Sequence, residues 1–104
     1  MQYKPFGPSY AEYVKLIKED ESARDRLSDE WWENNYTWFK EKIKEYNSVF
    51  LVTLGNSGRV YQHGKDIDDF PDNNELERIA IETGEVPLAF PDIEPPEDLD
   101  QSPN

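Results

Sequence analysis

The chain has 104 residues, no cysteine and a formal net charge of −12, with 36% hydrophobic and 33% charged residues. That length accommodates one small domain, and the lack of cysteine excludes disulfides, thiolate metal sites and a cysteine nucleophile while fitting a reducing, cytoplasmic setting. No basic stretch followed by an apolar run opens the chain, and the longest apolar run, residues 49–54, is interrupted by Thr53, so neither a secretion signal nor a membrane span is expected.

A charged share this high would read as disorder if it were evenly spread, but three Trp, six Tyr and five Phe supply a large apolar area, most of it before position 71. Ser9 is an expected N-cap with Glu12 in capping-box register, and Tyr10, Tyr13, Val14 and Ile17 share one helical face, which predicts a helix over about 9–20. The charged stretch after it either continues the helix or bends it, with Leu16, Ala23 and Leu27 as a displaced apolar row. Ser28 reads as a fresh cap, and Trp32, Tyr36, Phe39, Ile43 and Tyr46 then recur at steps of four, three, four and three. A second amphipathic helix over about 29–46 follows, ended by Asn47.

Residues 48–62 read as a β-hairpin: an apolar, β-branched strand, a loop using Gly55 and Gly58, and a short second strand. A lone hairpin is marginal in water, so it must pack on the helices or find another strand. Asp72 or Asn73 can cap a third helix over about 74–83, with Leu76, Ile79 and Ala80 inward and Gly84 at its end. From Val86 onward Pro87, Pro91, Pro95, Pro96 and Pro103 forbid continuous helix and disfavour a central strand. The expected fold class is therefore α+β, order α-α-β-β-α. A compact domain spans residues 1–85, its hairpin packed on helices, and residues 86–104 form an extended acidic, Pro-rich tail.

Charge divides the chain sharply. Residues 1–65 hold ten acids and ten bases, whereas residues 66–104 hold 13 of the 23 acids and a single base, Arg78. Asp66, Asp68, Asp69, Asp72, Glu75 and Glu77 place six charges within 12 residues. At a helix rise of about 1.5 Å this is one charge per ~3 Å, close to the ~3.4 Å spacing of a nucleic-acid strand. The same run resembles a calcium loop in outline, with Asp66, Asp68, Asp72, Asn74 and Glu77 in register, but Phe70 replaces an oxygen ligand and Pro71 stands where the turn needs Gly. No metal or other cofactor is expected. Catalytic signatures are equally weak. His63, the single histidine, lies at the opposite end of the hairpin from Ser57, and the GNSG loop joins two strands and lacks a P-loop lysine.

Trp31 and Trp38 lie seven residues apart, about 100° from the centre of the Trp32 stripe. They either widen the buried face or stand out as partner anchors; a core this small favours burial. Direct nucleic-acid binding is not expected, because Lys40, Lys42 and Lys44 alternate with acids in an acidic chain. The composition points to a non-enzymatic acidic binding module that meets a basic, nucleic-acid-handling protein through Asp66, Asp68, Asp69, Asp72, Glu75 and Glu77, with Trp31 and Trp38 as candidate anchors. It would act as an inhibitor or modulator, akin by charge alone to nucleic-acid mimics and nuclease-immunity proteins. One alternative is a homodimer built through the hairpin edge or the Trp31 and Trp38 line, with acidity serving solubility. Another is a linear motif in the tail, carried by Leu88, Phe90, Ile93 and Leu99.

Overall fold

In a computed structural model, which describes residues 2–92, three helices flank a three-stranded antiparallel sheet. Helix α1 (Tyr10–Glu19) opens on the expected capping box, Ser9 and Glu12 exchanging side-chain and backbone bonds. Helix α2 (Ser22–Tyr46) begins seven residues before the expected start at 29. The break falls at Asp20, whose carboxylate accepts from both the amide and the hydroxyl of Ser22 and faces Arg26 at 3.6 Å. Ser28 is thus an interior residue, and the displaced apolar row continues the helix: Ala23 is fully buried and Leu27 packs on the core. Asn47 stops α2 in the left-handed conformation, φ 51°.

Strands β1 (Phe50–Leu54) and β2 (Arg59–Gly64) form the hairpin, with a bulge opposite Val52 and Thr53. A short 3-10 turn (Ile67–Asp69) leads to helix α3 (Asn73–Thr83), capped by Asp72 and closed by Gly84 at φ 75°. The chain then returns as β3 (Pro87–Pro91) along the other edge of β1, giving the order β2-β1-β3. Residues 87–91, expected to belong to the tail, are therefore part of the compact domain, and Leu88 is buried in the core. Both flanking prolines fit because of register. Gly55 N–H bonds the Val86 carbonyl and Asp92 N–H the Val49 carbonyl, so residues 86, 88, 90 and 92 face β1. Pro87 and Pro91 point away from the ladder, where a missing N–H costs no sheet bond. Ile93 and Leu99 lie outside the described residues.

All five residues of β1 are buried, because the strand is covered on both faces. Leu51, with Leu88, Phe90 and Val60, packs against Trp31, Trp32, Phe39 and Ile43 of α2. Phe50, Val52 and Leu54 pack against Ile79 and Leu76 of α3, with Phe70 edge-on to Phe50 at 5.5 Å. Thr53 is the exception in this strand. It is 0% exposed, and its hydroxyl has no hydrogen-bond partner among the described residues.

The N-terminal segment straps across α2 and the hairpin loop. Asn35, 1% exposed, accepts from Lys4 N–H at 2.8 Å and donates to the Lys4 carbonyl at 2.9 Å and the Trp31 carbonyl at 3.1 Å. Trp31 Nε1 donates to Tyr3 Oη at 2.8 Å, and that hydroxyl donates to the Gly55 carbonyl at 2.5 Å. Gly58, at φ 83°, has the Tyr3 ring 2.6 Å from where a Cβ would stand. Only glycine meets both conditions.

Replacing Thr53 by valine removes an orphaned hydroxyl and keeps the shape, so Thr53→Val should raise unfolding stability by about 1 kcal/mol in urea titration. Burial pushes the Tyr3 phenol up to about 12 from 10.0. Its stabilising contribution is complete below pH 10 and disappears as pH rises toward 12, since the folded state holds the proton more tightly than the unfolded chain. Thermal melts of the wild type should fall across that alkaline window more steeply than those of Tyr3→Phe.

Candidate acidic interface

The six carboxylates of the acidic run occupy the connection from β2 and the first turns of α3, and the fold uses two of them locally. Asp66 Oδ1 accepts from Asp68 N–H at 2.9 Å, capping the 3-10 turn, and Asp72 Oδ1 accepts from Glu75 N–H at 2.9 Å, capping α3. These are the positions where backbone N–H groups lack helical partners and negative charge meets the positive end of the helix dipole. Asp68, Asp69 and Glu77 are exposed and Glu75 is half-buried. Among the described residues none of the six carboxylates forms an ion pair; Arg78 instead faces Glu82 at 3.8 Å. The cluster is thus a solvent-facing anionic surface with little internal neutralisation.

Phe70 and Pro71, the residues that spoil the calcium-loop pattern, turn inward: Phe70 packs on Phe50 and Pro71 is buried. This hydrophobic anchor pins the run to the sheet and spreads its carboxylates on either side. No group of three or more metal-ligating side chains comes together among the described residues. Ile67, 53% exposed, and Ile81, 68% exposed, add apolar side chains to the turn and to the outer face of α3.

Trp31 and Trp38 are 3% and 6% exposed and are core residues rather than surface anchors. Trp31 stacks on Phe90 at 5.6 Å and meets Trp38 edge-on at 6.4 Å, while Tyr3 covers Trp38 at 4.6 Å. Part of this cover comes from β3 and the N-terminal strap. The helical wheel of α2 alone shows neither.

The serine that reaches His63 is Ser48, not Ser57. Ser48 Oγ lies 3.0 Å from His63 Nδ1 and donates to the Tyr46 carbonyl at 3.1 Å, and the imidazole stacks on Tyr46 at 4.5 Å. Ser48 is 6% exposed, so this pair seals the end of α2 against β2 and offers no open nucleophile. Ser57 sits in the hairpin loop, where its N–H donates to Glu85 at 2.8 Å. The sequence separation of 15 residues between Ser48 and His63 gave no local signal; only the hairpin register brings them together.

No helix among the described residues is long and apolar enough to cross a membrane. No protein-family model, curated protein or solved structure matches the chain. Because Trp38 is a core residue, Trp38→Ala should cost about 3–5 kcal/mol of stability by denaturant titration. An anchor displayed on the surface would instead leave stability within about 0.5 kcal/mol.

Proposed function

We propose that the protein is a non-enzymatic binding module of the cytoplasm. Its anionic surface around Asp66, Asp68, Asp69, Asp72, Glu75 and Glu77 occupies the basic face of a nucleic-acid-handling protein, inhibiting or modulating it. The observation that carries this reading is the concentration, from the end of β2 into α3, of carboxylates that pair with no cation among the described residues, while residues 1–65 are charge-balanced. Such a field accelerates encounter with a cationic surface and selects against acidic partners. The absence of cysteine supports the reducing compartment.

Assembly into a homo-oligomer has less support. The Trp31 and Trp38 line is inside the core, and the outer edge strand of the hairpin, β2, carries a bulge that disfavours strand addition.

Changing all six acids to their amides tests the proposal cleanly, because Asn at positions 66 and 72 still caps a helix. The variant should keep the wild-type circular dichroism and melting profile. Its affinity for a basic partner captured from the native host at low salt should fall at least about tenfold, and wild-type binding should weaken steeply between ~0.05 M and ~0.5 M salt. Unchanged affinity in the amide variant, or no salt dependence, refutes the assignment.

A further inference from the structure

Among the described residues no strand pairs with the outer edge of β3, which lies in a groove of about 600 Å³ with α1 and the start of α2 on one side and α3 on the other. Val14 and Ile17 form the α1 wall, Leu76 and Ala80 contribute to the α3 wall, and Pro87 and Ala89 of β3 line the floor. One end is closed by Tyr10 N–H bonding the Gly84 carbonyl at 3.3 Å. The other end opens between the start of α2, with Arg24, and the start of α3, with Glu77.

The register of β3 sets what hydrogen bonding this floor offers. The Val86 carbonyl bonds Gly55 and the Asp92 N–H bonds Val49 at the two ends of β1, which puts 88 and 90 in the hydrogen-bonded positions between them and turns the backbone groups of 87, 89 and 91 outward. Pro87 and Pro91 have no N–H, which leaves carbonyl acceptors at all three positions and one donor, at Ala89. An added strand must therefore supply mainly N–H donors. Its side chains alternate between the two walls. Those facing α1 meet Tyr13, Val14 and Ile17, with Arg24 of α2 at the open end, and those facing α3 meet Leu76 and Ala80 with Glu77, next to the anionic run that begins at Asp66.

We propose that this groove is a β-augmentation site that takes an extended segment of the partner protein in which apolar and basic residues alternate. The inference rests on the basic-partner reading above and adds to it a second, short-range contact. The long-range field brings the partner in; the strand edge fixes register. The two prolines also explain why the edge does not simply pair with another copy of itself, since two such edges face each other with acceptors and almost no donors.

The test uses the full chain, isotopically labelled, titrated with a blocked alternating Val–Lys heptapeptide. A second peptide is N-methylated on the alternate amides that would face β3. The unmethylated peptide should shift the Ala89 amide resonance and slow its hydrogen exchange at least about tenfold. N-methylation, Ala89→Pro and Val14→Lys should each weaken binding about tenfold or more, the last guarding against misfolding of the proline variant. An amide variant of Asp66, Asp68, Asp69, Asp72 and Glu75 that keeps Glu77 should still bind in the groove, only more weakly at low salt.

Shifts confined to residues 66–77 and indifferent to N-methylation would overturn the groove and leave the acidic surface standing. Groove binding that is undiminished in the amide variant would support the groove and remove the acidic reading. No perturbation at Ala89 at all overturns the proposal.

Discussion

Helices α2 and α3 and strands β2 and β3 are placed by the need to keep β1 dry. Five consecutive residues, Phe50 to Leu54, have at most 2% exposure, so cover is required on both faces and both edges at once. One helix on one face would leave Phe50, Val52 and Leu54 in water, and a two-stranded hairpin would leave one row of β1 amides unpaired. α2 and α3 supply the faces, and β2 and β3 supply the edges. In a chain of 104 residues the layers are one helix thick, and the large rings of Trp31, Trp32, Phe39 and Phe90 fill volume that a longer chain would fill with more side chains.

Closing such a small stack needs a corner where the ends meet, and the hairpin loop provides it. Gly55 donates to the Val86 carbonyl at 2.7 Å, while its own carbonyl accepts from Phe6 N–H and the Tyr3 hydroxyl. Asn56 bonds the carbonyls of Phe6 and Pro8 through Nδ2 and accepts from Val86 N–H at 3.1 Å. Two adjacent residues thus satisfy the N-terminal strap and the entry to β3. A Cβ on Gly55 would come within 2.9 Å of the Val86 carbonyl and of Phe6, so the close approach depends on its absence. The loop is an internal joint and not a free hairpin tip.

The elements that were legible in the sequence are those whose signal is local. The Trp32 to Tyr46 periodicity, the Ser9 capping box, the apolar run of β1 and the Gly84 stop each depend on a few neighbouring residues, and each is found where the spacing puts it. What was hidden depends on pairing. Proline normally argues against a strand, and only the register with β1 shows that Pro87 and Pro91 stand at outward positions of an edge. The early start of α2 was obscured because Ser28 resembles a cap, while the real punctuation, Asp20 bonding Ser22, lies in a run of charges. The acidic site was visible as charge. Its division into capping and spare carboxylates was not, since both kinds look alike until the turn and α3 are in place.

Under the proposed function, that division separates the carboxylates the fold uses from those it leaves to a partner. Asp66 and Asp72 are accounted for by folding alone: each satisfies a helix N-terminal amide that would otherwise lack a partner. Phe70 and Pro71 are accounted for by burial. Asp68, Asp69 and Glu77 satisfy no backbone donor outside the run, pair with no cation among the described residues, and add to the self-repulsion of a chain already at −12. Asp68 and Asp69 lie in the first turn of the 3-10 helix, where negative charge is favoured, and together with Glu77 they are held beside two capping acids by the Phe70–Pro71 anchor. Solubility does not require a fixed display, whereas the proposed function does, since a surface that meets cations on another protein must match their spacing.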